Sequence, residues 1–365
     1  RPRGERPVIP PVAHWIDWYS AALEELGRPL VLNGAVFLVG AAVITWAGTW
    51  LSDFADRLAD RTGLGEAITG TLFLGLATAL PGLTVSVVAA LQGRPALAIS
   101  NAIGGIAVQT CFLAVADLAH PKANLEHAAA SATNMIQAAV LVILLILVVL
   151  GITGPALTVW HVHPMTPILF LAAGFGFWIA FRSAQNPMWR PRVTSATVED
   201  VPERDHQRES LVKLLALFGI TAVVLMAAGA VVAHTTGRIA ELTGMSETVA
   251  GGLLSGVATS LPELVTTVAA VRAGALTLAV GDIIGGNFFD ILFVFAADLV
   301  FLDGSIYHAA GVSQRETFLC ALAALLNIIL LLGLIFRQRT GPGNIGFESV
   351  AILICYGIGF VVLGH

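Results

Sequence analysis

The chain contains about ten apolar stretches that are long enough to cross a lipid bilayer as helices. Each is continuously apolar, whereas the strands of a membrane barrel alternate apolar and polar side chains. The composition agrees, because 56% of the residues are hydrophobic and 12% are charged. The sequence therefore predicts an all-α integral membrane protein with spans near residues 30–51, 64–91, 96–118, 127–151, 166–182, 211–234, 246–271, 275–301, 316–336 and 345–363.

The chain also repeats itself. Residues 56–118 align with residues 237–299 at a constant offset and without a gap, and about 25 of the 63 aligned positions are identical. With five spans in each half, the second copy enters the membrane from the opposite side, so we expect two inverted five-helix repeats. Residues 30–182 are the first membrane half and residues 211–365 the second. In transporters built this way, substrate binds near the bilayer midplane where the repeats meet.

Two segments lie outside these halves. Residues 1–29 carry Trp15, Trp18 and Tyr19 beside acidic residues, and we expect an interfacial amphipathic segment. Residues 183–210 form a polar linker between the halves.

The distribution of positive charges predicts the orientation of the chain. Cytoplasmic loops of membrane proteins are enriched in Lys and Arg, so the linker is expected in the cytoplasm, with both termini outside a bacterial-type plasma membrane. One side carries Arg57, Arg61, Lys122, Arg182, Arg190, Arg192, Arg204, Arg208, Lys213, Arg272, Arg337 and Arg339. Beyond the first 29 residues, the other side carries Arg94, Arg238 and Arg315.

A proline lies within one apolar span of each repeat, at Pro81 and at Pro262. Because proline removes a helical hydrogen bond and clashes with the preceding turn, a kink is expected at both positions. Backbone freed in this way is tolerated in a membrane where protein or a water-filled cavity satisfies it. Residues 78–81 and 259–262 are therefore candidate ligand-lining segments.

The helix after each proline carries a glycine pair, Gly104 with Gly105 and Gly285 with Gly286, which permits close helix approach. Asp117 and Asp298 are equivalent residues near the ends of these two helices, and a structural contact at the helix end explains both.

The second repeat holds three polar residues that point to a cation site. Glu263 follows Pro262 within an apolar span, where a carboxylate costs several kcal/mol unless it meets a cation, a proton or water. Asp290 lies on the next span, with Asn287 three residues before it on the same helical face. We predict Glu263 as the primary ligand, with Asp290 and Asn287 completing the site.

Four further residues are candidates for the same site. Thr259 and Ser260 could add hydroxyl oxygens to the oxygen shell that hard cations prefer, or could bond back to the preceding turn. Thr78 is the first-repeat equivalent of Thr259. Asp282 could be a ligand, line the access path or lie near the helix end.

The first repeat is poorer in acidic residues than the second. The equivalents of Glu263, Asn287 and Asp290 are Gly82, Ile106 and Gln109. Gln109 can still offer an amide oxygen, and it completes the predicted ligand set.

The segment GVATSLPELVTTVAAVRAGALTLAVGDIIGGNFFDILFVFAADL resembles the second alpha-repeat of the sodium/calcium exchanger, or calcium/cation antiporter, superfamily. GLATALPGLTVSVVAALQGRPALAISNAIGG resembles the first alpha-repeat. The resemblance implies a 5+5 inverted-repeat fold, cation sites between four core helices, and alternating access. It also implies exchange of calcium for sodium, potassium or protons, with one proline-following glutamate from each repeat holding the calcium. Glu263 matches that glutamate, while Gly82 replaces it in the first repeat.

These observations predict a secondary antiporter that exchanges Ca²⁺ for Na⁺ or H⁺, with the cation as substrate and no cofactor. The missing glutamate leaves two alternatives, a monovalent cation/proton antiporter and a non-transporting exchanger-like membrane protein. An enzyme is not expected, because the spans contain no HExxH motif, nucleophile elbow or His/Cys cluster. The expected partners are membrane lipid and transported cations, without nucleic acid, and a homo-oligomer with a second copy of the chain is left open.

Overall fold

A computed structural model describes residues 30–62, 75–118, 124–129, 131–185, 189, 210–273, 276–338, 341 and 345–365. The predicted interfacial segment 1–29 and most of the predicted linker lie outside the described residues. The helices are α1 (Leu30–Thr62), α2 (Gly75–Leu91), α3 (Pro95–Leu118), α4 (Leu125–Ala129), α5 (Ala132–Thr153), α6 (Met165–Gln185), α7 (Leu211–Thr243), α8 (Glu247–Thr259), α9 (Leu261–Ala273), α10 (Leu276–Val300), α11 (Gln314–Phe336) and α12 (Phe347–Gly364).

Within the described residues, eight helices are long and apolar enough to cross a membrane, and α8 with α9 makes a ninth, bent span. The predicted span 64–91 corresponds to the shorter α2, and the part of it before residue 75 is not described. The other nine predicted spans each match a helix or the bent pair.

Several predicted boundaries were wrong by a few residues. Helices α1 and α7 are each 33 residues long and extend beyond their apolar stretches, because a helix continues into polar sequence once it leaves the hydrocarbon region. The span predicted from residue 127 begins at α5 instead, where the Ser131 hydroxyl accepts a hydrogen bond from the Asn134 amide at 3.0 Å. Helix α6 continues to Gln185, three residues into the predicted linker.

The kink predicted at Pro262 is confirmed. Helices α8 and α9 meet at Ser260 with a bend of 46°, and α8 contains a π-helical stretch, Ala250–Ser255, before the bend. Helix α2 runs through Pro81 without interruption, so the break in the second repeat has no counterpart at this proline. A proline removes only one hydrogen bond, so a helix packed on several sides can continue across it.

The proline-containing helices are crossed by the two longest helices. Helix α1 packs along α7, and each of them crosses the proline helix of the opposite half. A Cβ added to Gly48 of α1 would lie 2.4 Å from Cγ of Pro262, and one added to Gly229 of α7 would lie 2.8 Å from the Pro81 carbonyl oxygen. Gly48 and Gly229 are separated by the same offset as the repeats, so the same glycine–proline contact occurs in both halves.

Helices α3 and α10 form the centre of the molecule, and α3 is buried over nearly its whole length. The close approach predicted at the first glycine pair is confirmed, because a Cβ on Gly104 would lie 2.3 Å from Cα of Gly252 in α8. The backbones of α3 and α8 therefore touch just before the bend that leads to Glu263.

The equivalent aspartates at the ends of α3 and α10 anchor neighbouring segments, as predicted. Asp117 accepts hydrogen bonds from the backbone amides of Leu125 at 2.6 Å and Gly346 at 3.0 Å. Asp298 accepts from the backbone amides of His163 at 2.9 Å and Ile306 at 2.8 Å. Buried carboxylates with several donors stabilise these loop connections, and their role is structural.

Candidate cation site

Glu263 lies in the first turn of α9, immediately after the bend, with its side chain almost fully buried. The bend places it in the protein interior, facing the first half of the chain. The Thr78 hydroxyl of α2 is within hydrogen-bonding reach of its carboxyl group, and Asp290 and Asp282 are close enough to interact with it electrostatically. Its Oε2 atom has no hydrogen-bond partner among the described residues.

Asp290 of α10 is held by a side chain from the other repeat. The Gln109 amide nitrogen on α3 donates to Asp290 Oδ2 at 2.6 Å and to Ser260 Oγ at 3.2 Å. One amide thus joins a carboxylate and a hydroxyl from two separate elements of the second half. Gln109 and Asp290 occupy equivalent positions in the two repeats, so this hydrogen bond joins two residues that the repeat relates to each other.

The second glycine of each pair gives these polar groups their space. A Cβ added to Gly105 would lie 3.1 Å from Asp290 Oδ2, and one added to Gly286 would lie 3.1 Å from Gln109 Oε1. The amide oxygen of Gln109 has no hydrogen-bond partner among the described residues, so it remains an available acceptor beside the carboxylate.

The structure therefore brings Glu263, Asp290, Ser260, Gln109 and Thr78 together from four helices and the bend. All five are almost completely buried. Among the described residues, no Lys, Arg or His forms an ion pair with Glu263 or Asp290. The arrangement offers carboxylate, hydroxyl and amide oxygens in a buried setting, which suits a hard cation such as Ca²⁺ or Na⁺, and its carboxylates can also take protons.

Two other predicted ligands, Thr259 and Asn287, donate their hydrogen bonds to groups outside these five residues. The Thr259 hydroxyl donates back to the Ser255 carbonyl at 2.9 Å, which is the alternative that the sequence left open. The Asn287 amide donates to the Thr110 hydroxyl at 3.3 Å, on the side of α10 that faces α3. Its carbonyl oxygen has no partner among the described residues, so it keeps a free acceptor.

Asp282 braces the bent helix against the next one. The Thr266 hydroxyl lies 3.1 Å from both Asp282 Oδ2 and the Glu263 carbonyl oxygen. In the first repeat, Asn101 is the equivalent of Asp282, and its amide donates to the Gly82 carbonyl oxygen at 3.0 Å. A polar side chain at this position thus reaches the turn after the proline in both repeats, which favours a positioning role for Asp282 over direct liganding.

Asn327, in the middle of α11, was missed by the sequence reasoning. It is fully buried, and its amide donates to the Ala323 carbonyl at 2.9 Å and to the Thr110 hydroxyl at 3.4 Å. Thr110 follows Gln109 on α3, so Asn327 links α11 to the helix whose Gln109 donates to Asp290. A lone amide within an otherwise apolar span was the available signal.

The fold and the site together define a helical membrane protein built from two related halves, with a buried oxygen-rich site between them. The sequence profile described as sodium/calcium exchanger protein matches residues 32–183 and 213–363, which correspond to the two halves. The chain belongs to this family. That membership, with the membrane-spanning helices, makes it an integral membrane protein of the cation antiporter type and a secondary transporter, as the sequence predicted.

Individual relatives agree with this assignment. The putative antiporter CaxA of Alkalimonas amylolytica is 27% identical over 311 residues, which cover 84% of this chain and 93% of CaxA. A structure of the H⁺/Ca²⁺ exchanger CAX superposes with a TM-score of 0.64 at 13% identity, covering 95% of this chain and 89% of CAX. A structure of the sodium-calcium exchanger NCX_Mj gives 0.60 at 20% identity, covering 91% and 99%. These likenesses confirm the predicted two-repeat fold.

Proposed function

We propose that this protein exchanges Ca²⁺ for Na⁺ or H⁺ by alternating access, with the cation held between Glu263 and Asp290. The observation that carries the proposal is the pair of buried carboxylates without a basic partner among the described residues. Buried carboxylates without a counter-charge are costly in a membrane protein, so such a pair is expected to bind a cation or protons during its working cycle.

The proposed coupling follows from charge neutralisation. A cation and protons, or two kinds of cation, compete for the same oxygens, so the site is filled by one or the other when it changes the face to which it opens. Ser260 and Gln109 would add neutral oxygens, and Thr78 would orient the Glu263 carboxyl group. A sodium-calcium exchanger and an H⁺/Ca²⁺ exchanger share this fold, which supports both choices of counter-ion.

The test is calcium flux into proteoliposomes of the purified protein, driven first by a sodium gradient and then by a proton gradient. Glu263→Gln keeps the size of the side chain and removes its charge, so exchange should be lost while the protein stays folded. Glu316→Gln is the matched control. Glu316 is also fully buried, but it accepts hydrogen bonds from Ser313 and Thr248 away from the site. Flux that persists unchanged in Glu263→Gln would refute the site.

Monovalent cation/proton antiport is the second candidate, and Gly82 is the observation that favours it. The first repeat contributes no carboxylate at the position equivalent to Glu263, and calcium affinity depends on the number of charged ligands. Proton-driven sodium flux that does not depend on calcium would select this candidate. Calcium uptake under a sodium or proton gradient would reject it.

We also propose that the 183–210 linker faces the cytoplasm and that both termini lie outside. The positive-inside distribution of Lys and Arg supports this orientation. A cysteine placed in the linker should react with a membrane-impermeant maleimide in inside-out vesicles only. Labelling in right-side-out vesicles would reverse the orientation.

A further inference from the structure

The aromatic ring of Phe293 fills the space beside Gly82. A Cβ added to Gly82 would lie 2.6 Å from Cε2 of Phe293 and 3.2 Å from Cζ, well inside van der Waals contact. The Cβ atom of any side chain at this position would therefore overlap the Phe293 ring. Gly82 is the first-repeat equivalent of Glu263, so the ring occupies the start of the path that a first-repeat carboxylate would take.

The backbone at Gly82 is also fixed in place. Its carbonyl oxygen accepts a hydrogen bond from the buried Asn101 amide at 3.0 Å, and the same amide donates to Ser86 at 3.0 Å. A shift of α2 away from the ring would break this contact. The crowding at Gly82 can thus be relieved only by moving or shortening the Phe293 side chain.

Phe293 lies one helical turn after Asp290 on α10, so the ring and the carboxylate share one face of the helix. The ring is almost fully buried. The repeat-equivalent ring, Phe112 on α3, coexists with a full glutamate at position 263. The aromatic residue is therefore present in both repeats, whereas the position of Gly82 is occupied by Glu263 in the second repeat.

We propose that Phe293 determines the ion specificity of the site, because its ring closes the first-repeat half and leaves the cation to be held from the second-repeat side by Glu263 and Asp290. This inference rests on the proposed function and deepens it. Removing the ring and placing a glutamate at position 82 would open the closed half and add a third carboxylate. Since calcium sites gain affinity with charged ligands, the change should favour divalent over monovalent cations.

The experiment compares Gly82→Glu/Phe293→Ala with Gly82→Gln/Phe293→Ala, which has the same shape without the charge. Calcium and sodium dissociation constants are measured by isothermal titration on protein in lipid nanodiscs. We expect calcium to bind at least about tenfold more tightly to the glutamate variant, because a carboxylate replaces a neutral amide. Gly82→Glu/Phe112→Ala is the positional control. It removes the equivalent ring but leaves Phe293 in place, so it should show no such gain.

The steric part of the inference has its own measurement, which does not depend on transport. Gly82→Ala should lower the melting temperature when Phe293 is present and have little effect in the Phe293→Ala background, since contacting residues are not additive. Additive effects would overturn the inference. If the glutamate variant does not fold, Gly82→Asp/Phe293→Ala replaces it, with Gly82→Asn/Phe293→Ala as its neutral match.

The outcomes also separate this inference from the proposed function. A wild-type protein that exchanges cations, together with equal calcium affinities in the glutamate and glutamine variants, would overturn the role of Phe293 alone. A wild-type protein that neither binds nor exchanges calcium or sodium would overturn the proposed function. In that case the melting temperatures of the Gly82→Ala pair would still decide whether the ring blocks position 82.

Discussion

Arg94 ties the two halves together at one face of the molecule. It lies in the turn between α2 and α3, and its guanidinium group pairs with Glu247 at 3.1 Å and with Glu241, and donates to the Gly237 carbonyl oxygen at 3.3 Å. These three acceptors belong to α7 and to the start of α8. Any movement that separates the halves at this face must break the contacts. The repeat-equivalent residue of Arg94 is Ala275, so the second repeat has no arginine at this sequence position.

The free energy that the Arg94 ion pairs contribute depends on how exposed the paired side chains are. Two unit charges 3.1 Å apart attract by about 5 kcal/mol at an effective dielectric constant near 20, before the cost of desolvation is subtracted. The Arg94 side chain is 19% exposed, but those of Glu241 and Glu247 are 44% and 32% exposed. Exposed pairs contribute about 0.2–1 kcal/mol each, so two of them give roughly 0.4 to 2 kcal/mol. Arg94→Ala should therefore raise the open population at this face by about 2- to 30-fold.

Hydrogen exchange measured by mass spectrometry can detect this change. Amides in peptides covering residues 92–98 and 244–250 should exchange faster in Arg94→Ala by about the same factor, because local opening limits their exchange. Arg238→Ala is the matched control, since Arg238 pairs with Glu241 at 2.6 Å within the same half. Equal acceleration in both variants, or none in Arg94→Ala, would refute the idea that Arg94 holds the halves together.

Two further substitutions test contacts that build the site. Gly48→Ala should lower the free energy of unfolding by about 1–3 kcal/mol because its Cβ would overlap the Pro262 ring. Gly34→Ala is the control and should be nearly neutral, since no atom of the described residues lies within 4 Å of the added Cβ, and equal melting temperatures for the two variants would contradict the close packing. Gln109→Met should cost about 1.5–3 kcal/mol in cation-free buffer by removing the donor to Asp290, and less when a bound cation replaces that donor; unchanged melting without cation would contradict the bridging role.

Much of the fold could be predicted from the sequence, because it is fixed by patterns that act locally or repeat. Apolar length identified the spans, and the repeat gave the two halves. The boundaries were less accurate, since hydropathy marks the hydrocarbon region and says little about polar helix ends such as those of α1 and α7. The break at Pro81 was predicted from local chemistry alone. The packing of α7 around Pro81 is a long-range contact, and no local pattern reports it.

The site could be predicted only in part, for the same reason. Glu263 and Asp290 could be singled out as candidates because a carboxylate in an apolar span is costly whichever way its side chain points. The direction of a hydrogen bond is not encoded in this way, so the sequence could not show that the Thr259 hydroxyl donates to Ser255 and the Asn287 amide to Thr110. Phe293 was not singled out, because a phenylalanine in a membrane helix is ordinary. Its importance comes from the residue it faces across the repeats.

The contacts across the repeats show how the two copies have divided their tasks. Where the second repeat has Asp290, the first has Gln109, and where the second has Asp282, the first has Asn101. Each of these two aspartates thus corresponds to an amide that can donate as well as accept. Gln109 uses its donor to hold Asp290, and Asn101 uses its donor to fix the turn at Gly82. A fully symmetric pair of acidic repeats would bury twice as many carboxylates, at a cost that only bound cations could offset. With amides in the first repeat, part of that cost is met by hydrogen bonds that persist when the cation leaves. The asymmetry therefore lowers the cost of burying these polar side chains when no cation is bound to them.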